Sequence, residues 1–207
     1  MKKNILLLLI GISLNSFAQK SFFGVDAGVN IANQRVVFSP SGPYYSSSIN
    51  SQFYQNTVKP TFGVFYQSNF SESVGVRLAI QYMGLGYKDR LSNQHSVNIN
   101  YLTFPLSLHY TLNKKFSIHS GGYLSFTLHN TKVTNQSNAI VSVTSVYHDN
   151  DTGIFLGGEH CLGKDFFLAV NYFIGTKNIW LNDNNGAVKY NNRALQFTLI
   201  YKFKKKS

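Results

Sequence analysis

Eight stretches of this chain alternate apolar and polar side chains at every second position, and the connections between them alternate between short and long. A period of two is the mark of a β-strand with chemically different faces. The segments are Phe22–Ile31, Val58–Asn69, Ser73–Tyr87, Asn98–Tyr110, Phe116–Asn130, Thr152–Leu162, a seventh from Phe166 to Gly175, and Arg193–Phe203. In the first, Phe23, Val25, Ala27, Val29 and Ile31 oppose Gly24, Asp26, Gly28 and Asn30. In the fourth, Leu102, Phe104, Leu106, Leu108 and Tyr110 oppose Thr103, Pro105, Ser107 and His109.

The short connections read "NFSES", "LNKK" and "LGKD", lengths that suit hairpin turns. The long ones, Asn33–Thr57, Lys88–Val97, Thr131–Asp151 and Lys177–Asn192, are rich in Asn, Ser, Gly and Tyr, as surface loops are. Part of Ala139–Tyr147 can extend a strand beyond the main body. Strict long–short alternation puts all tight turns at one end and all long loops at the other. The expected fold is all-β: an eight-stranded antiparallel up-and-down transmembrane β-barrel.

Alternation alone does not distinguish a membrane barrel from a soluble one, because one is the other turned inside out. Composition does. Charged residues make up only 13% of the chain against 15% aromatics, too few charges to clothe a water-facing wall. The polar faces hold mostly Gly, Ser, Thr, Asn, Gln and His, which suit the narrow interior of an eight-stranded barrel. Phe23, Tyr87, Tyr110, Phe116, Tyr201 and Phe203, near strand ends, are the candidate aromatic girdle. First and last strands must pair, since an unpaired backbone N–H in hydrocarbon costs several kcal/mol. Pro105 lacks an N–H, so a bulge or irregular pairing is expected there.

The start, "MKKNILLLLIGISLNSFAQ", has a basic n-region, an apolar h-region and the small-x-small site Ser16-Phe17-Ala18. It predicts a signal peptide over residues 1–18 and a barrel domain over 19–207. Removing Lys2 and Lys3 from 19 basic residues leaves 17 against 8 acidic ones, about +9. That surplus suits anionic lipid or phosphate, whereas nucleic acid is excluded by export and by the lack of a basic recognition helix. No later stretch reaches the ~18 apolar residues of a membrane helix. Cys161 is alone, so no internal disulfide is expected.

Five motifs, "FGVDAGVN", "NINYLTFPLSLHY", "GGYLSF", "DTGIFLGGEHCLGKDFFLAVNYFIGTKNI" and "LQFTLIYKF", resemble in order and spacing the PorT-like outer-membrane beta-barrel domain of Gram-negative bacteria. The resemblance spans nearly the whole mature chain and makes Pro105 part of a family strand. It implies an integral outer-membrane location and no cofactor. The family's namesake is tied to secretion, which adds secretion components to the expected partners. An outer-membrane barrel also implies contact with outer-membrane lipid and lipopolysaccharide. Barrel-assembly machinery and periplasmic chaperones would act during biogenesis. Both termini and the short turns are expected in the periplasm, the long loops outside.

The expected lumen network is Asp26, Arg77, Glu159, His109 and Lys202. Isolated charges in a small, partly dry barrel are costly, so partners are expected, with Arg77 meeting Asp26. One reading of this network is a structural plug; the other is an ion path or binding site. Ser107, His109 and Glu159 also have the residue types of a serine–histidine–acid hydrolase, but no nucleophile elbow accompanies them. His95, His119, His129, His148 and His160 show no tight metal-ligand spacing, and "HDND" at His148–Asp151 reads as a solvated loop. The expected role is a structural, surface-interaction or secretion-assisting barrel without catalytic, cofactor or metal site. A narrow transport channel and a lipid A-modifying enzyme are the alternatives.

Overall fold

The structure, a computed structural model, describes residues 20–38, 54–89, 96–128, 132–134, 140–142, 148–179 and 188–203. The expected signal peptide, His95 and His129 lie outside the described residues.

Eight long strands form the barrel wall: β1 (Lys20–Phe38), β2 (Thr57–Asn69), β3 (Val74–Asp89), β4 (Ser96–Thr111), β5 (Phe116–Thr127), β6 (Asn150–Cys161), β7 (Phe166–Gly175) and β8 (Val188–Phe203). Each pairs antiparallel with its neighbours in sequence. β8 returns to β1 from Phe23↔Phe203 to Phe38↔Val188, which closes the wall. Closure leaves no edge, the condition for strands to cross hydrocarbon. The tight turns are tied by backbone bonds at their bases: Phe70 N to Val74 O, Leu112 N to Phe116 O and Leu162 N to Phe166 O. Several strands outrun the apolar alternation. β1 has 19 residues, where a tilted strand needs about 9–11 to cross. The added length reads as loop in the sequence because the alternation breaks at Asn33-Gln34-Arg35, three polar residues in a row. Two short strands, Lys132–Thr134 and Ile140–Ser142, extend the sheet beyond Val97 and Asn98 of β4, so part of the expected Ala139–Tyr147 extension is present.

Pro105 interrupts only one of its two ladders. Pairing with β5 runs on through Pro105↔Tyr123. Pairing with β3 stops after Leu78↔Leu106 and resumes at Gln81↔Thr103 in the same register. The irregularity is therefore a gap of two pairs and not a bulge, because no residue is inserted.

The outward face is apolar across the wall: Phe23 is 64% exposed, Phe62 54%, Leu106 53% and Leu156 65%. That exposure suits lipid and would be untenable in water over so large an area.

The inward face has two layers. Toward the short turns it carries the buried charges, packed against a small apolar cluster of Phe65, Ala79, Ala169 and Ile200. Toward the long loops it is apolar, with Met83, Ile99, Tyr101 and Ile179 fully buried among Leu85, Val97, Tyr123, Phe155 and Phe173. Phe155 and Phe173 stack at 4.9 Å. Tyr87, expected in the aromatic girdle, belongs instead to this interior layer. The period of two carries its inward orientation from Gln81 through Met83 and Leu85 to position 87. A smaller polar group threads the apolar layer: Asn192 Nδ2 donates to Asp151 Oδ2 at 2.9 Å and to the Tyr101 hydroxyl at 3.2 Å. Of the "HDND" donors, Asp151 is thus fully buried within the barrel and not part of a solvated loop.

Candidate functional site in the barrel interior

Glu159, on β6, is the centre of the polar layer. Its side chain is fully buried, and Arg77 Nη1 of β3 approaches Oε1 at 2.5 Å. Lys202 Nζ of β8 donates to Oε2 at 2.9 Å. The two cations have further support. Arg77 donates to Gln67 Oε1 through Nε at 3.0 Å and Nη2 at 2.7 Å. Its guanidinium also stacks 4.2 Å from the Phe65 ring centre, and Lys202 Nζ sits 3.8 Å over Phe167. Buried ions are tolerated only with such pairing, because desolvation opposes each of them.

Asp26 does not meet Arg77. Its Oδ1 accepts from Gln81 Nε2 at 3.0 Å, whereas Arg77 and Lys202 both turn to Glu159. The ladders give the reason. Across β1, β2 and β3, Asp26 aligns with Gly63 and then Gln81, whereas Arg77 aligns with Gln67 and then Phe22. Arg77 is thus four residues below the row of Asp26, roughly 13 Å along the strand. Both line the same small cavity, and the set Asp26, Glu159, Arg77 and Lys202 has no net formal charge.

A hydrogen-bonded chain crosses the lumen beside this cluster. The Thr61 hydroxyl donates to Tyr82 O at 2.9 Å, Gln196 Nε2 donates to Thr61 Oγ1 at 3.2 Å, and Asn171 Nδ2 donates to Gln196 Oε1 at 2.8 Å. Asn171 Oδ1 therefore accepts from His119 Nε2 at 2.6 Å. Neutral His119 then has its lone pair on Nδ1, which is buried without a partner. His119 stacks on His109 with ring centres 4.5 Å apart, as their cross-strand pairing dictates. Gly157 makes room for the chain: a Cβ there would collide with Asn171 Oδ1 and His119 Nε2. Gly157→Val is accordingly expected to destabilise the barrel by about 1–3 kcal/mol, measured as a shift in urea unfolding of the refolded protein in detergent. An unchanged midpoint would mean the His119–Asn171 contact contributes nothing.

Ser107, His109 and Glu159 come together in the order a hydrolase would use. Ser107 Oγ is 3.0 Å from His109 Nε2, and His109 Nδ1 is 4.0 Å from Glu159 Oε1. The second separation exceeds hydrogen-bond reach, and Arg77 already holds that oxygen. Ser107 opens on an internal cavity of about 30 Å³, room for one or two waters and not for an acyl group. The cluster can hold and pass protons.

His109, His119 and Glu159 also present one ligand atom each within 4.8 Å of one another, a grouping that sequence spacing missed because each lies on a different strand. A divalent ion there would face Arg77 and Lys202, both already on the same carboxylate. Like charges at such range in a low-dielectric interior repel strongly. The donor set does not fit a resident metal. Of the expected girdle, Phe23, Tyr110, Phe116 and Phe203 are exposed on the outside near the short turns, and Tyr201 contacts Phe166 and Phe203 at 5.0 Å each.

Among solved structures, the chain is similar to several at low identity. Neisserial surface protein A matches over 89% of this chain and 100% of its own, at 11% identity and a TM-score of 0.50. Ail, the attachment invasion locus protein of Yersinia pestis, covers 88% of this chain and 100% of its own, at 13% identity and a TM-score of 0.43. OprG of Pseudomonas aeruginosa covers 89% of this chain and 97% of its own, at 12% identity and a TM-score of 0.43. At 11% identity, the likeness to Neisserial surface protein A speaks to fold alone. No curated protein matches the sequence. The family model of the outer membrane protein beta-barrel domain matches residues 5–203. This closed barrel, apolar outside and charged within, belongs to the outer membrane protein beta-barrel domain family and resides in the outer membrane.

Proposed function

We propose that the protein is a non-enzymatic outer-membrane barrel with a structural, surface-interaction or secretion-assisting role, its lumen closed by its own side chains. The observation that carries this reading is the two-layered interior. A buried ion cluster on Glu159 occupies the half near the short turns, and Met83, Ile99 and Tyr101 fill the other half at zero exposure. In this reading the termini and short turns face the periplasm and the long loops face the exterior. Biogenesis would use the barrel-assembly machinery and periplasmic chaperones, and the PorT-like motifs make secretion components reasonable partners.

One observation favours a narrow channel instead: Asp26 is buried without a cationic partner beside an internal cavity. Planar-bilayer recording separates the two readings. Closed barrels are expected to give no steady unitary current, and Asp26→Asn should change nothing. Steady currents in the wild type that vanish in Asp26→Asn would establish the ion path. For the enzyme alternative, lipid A from cells with and without the protein is expected to show identical masses. A mass difference abolished by Ser107→Ala would make it a hydrolase.

A further inference from the structure

We propose that the outer face of β1 and β8, at the long-loop end, carries a binding site for a phosphate group of an outer-leaflet lipid, built from Arg35 and Arg193. The site rests on the reading that the long loops face the exterior; on that reading the lipid is the phosphorylated lipid A of lipopolysaccharide.

The register fixes the height. The outward apolar row of β1 and β8 begins at Phe23↔Phe203 and ends at Ile31↔Leu195. Directly above, Asn33 pairs with Arg193 and Arg35 with Asn191. Gln34 and Asn192 lie between these positions and are both 1% exposed, pointing inward. Asn33, Arg35 and Arg193 therefore take the outward face. They form the first polar layer beyond the hydrocarbon band, the level of lipid headgroups.

A groove of about 350 Å³ opens there, lined by Arg35, Arg193, Asn33, Asn56, Tyr172 and Leu195 among others, with no carboxylate among its described lining residues. Asn33 is held on both sides: its Nδ2 donates to Asn56 Oδ1 at 3.0 Å and its Oδ1 accepts from Gln34 N at 2.7 Å. The arginines are not so held. Neither Arg35 nor Arg193 has an ion-pair partner among the described residues. Arg193 Nε is buried with no hydrogen-bond partner.

A buried guanidinium N–H without an acceptor is costly. A phosphate in the groove would supply that acceptor, and two guanidinium forks match its oxygens better than lysines would. Tyr172 and Leu195 continue the lipid-facing wall below the arginines. A phosphate carried on acyl chains therefore fits better than a free one, since its chains can lie along that wall.

Native mass spectrometry of the refolded barrel in detergent tests the site, with diphosphorylated lipid A, fully dephosphorylated lipid A and inorganic phosphate as probes. The wild type is expected to retain diphosphorylated lipid A, and Arg35→Gln with Arg193→Gln should weaken retention about tenfold or more. Arg35→Lys with Arg193→Lys, which keeps charge and loses the fork, should fall between. Lys114→Gln with Lys115→Gln, at the opposite end, should have no effect. Equal retention of dephosphorylated lipid A, unchanged binding in the double glutamine variant, or displacement of lipid A by millimolar inorganic phosphate would each overturn the proposal. Heat-modifiable gel migration confirms that each variant is folded. Orientation is read separately, by labelling Asn56→Cys in a Cys161→Ser background with a membrane-impermeant maleimide on whole cells. Labelling only after the outer membrane is permeabilised would reject the orientation, and with it an outer-leaflet lipid, whatever the lipid-binding result.

Discussion

Glu159→Ala is expected to destabilise the folded barrel by about 3–5 kcal/mol, because it leaves two buried cations without their common partner. Arg77 and Lys202 converge on this one carboxylate from β3 and β8, and its side chain has no exposure. Removing it leaves Arg77 with Gln67 and Phe65, and Lys202 with the Phe22 and Phe167 rings. Those neutral contacts do not offset the desolvation of a full charge. The measurement is urea unfolding in detergent, followed by the heat-modifiable gel shift. A companion variant tests the cause. Glu159→Leu combined with Arg77→Met and Lys202→Met removes all three charges together and should recover most of the loss, since apolar replacement of a whole buried ion group is often neutral or better. Asp26→Asn should cost far less, because its side-chain hydrogen bond from Gln81 survives in an amide. If Glu159→Ala costs under about 1 kcal/mol, the cations are solvated, and the closed-lumen reading fails with it.

The second large effect concerns the apolar layer. Met83, Ile99 and Tyr101 have zero exposure at the long-loop half of the lumen. Each truncation to alanine is expected to cost about 2–5 kcal/mol through lost burial and an unfilled cavity. Tyr101→Ala also removes the hydroxyl that accepts from Asn192 Nδ2 at 3.2 Å. The functional readout is sharper than the energetic one. The triple alanine variant, if it still refolds to the heat-modifiable form, should show unitary currents in planar bilayers where the wild type shows none. Silence in a folded triple variant would mean that something other than these side chains closes the lumen. Single variants serve where the triple one does not refold.

Within one strand, the pattern of side chains was sufficient to place residues. Arg77, His109 and Glu159 were assigned inward from alternation, and each is buried in the barrel. The apolar half of the lumen is legible only by parity: Tyr101 shares a face with Thr103 and Phe155 with Glu159, but by polarity alone they match lipid-facing residues. The Tyr87 placement failed for the same reason: an aromatic near a strand end suggests the girdle, but its parity with Gln81 turns it inward. His119 was within reach of sequence reasoning. The tight turn at Leu112–Lys115 fixes the hairpin register, and counting back from it sets His109 opposite His119.

The chain's own order of residues determined the strand count, the meander, the lipid face and the ends at which turns and loops gather. All of these follow from a period of two and the lengths of connections, which are local properties. It did not determine which inward residues meet across the lumen. That depends on relative height around a closed wall, set by the register of every ladder at once. Asp26 is the instance: its face is legible from "FGVDAGVN", but its partner is Gln81 and not Arg77, because the β1–β2 register, set across a long connection, decides which rows share a level.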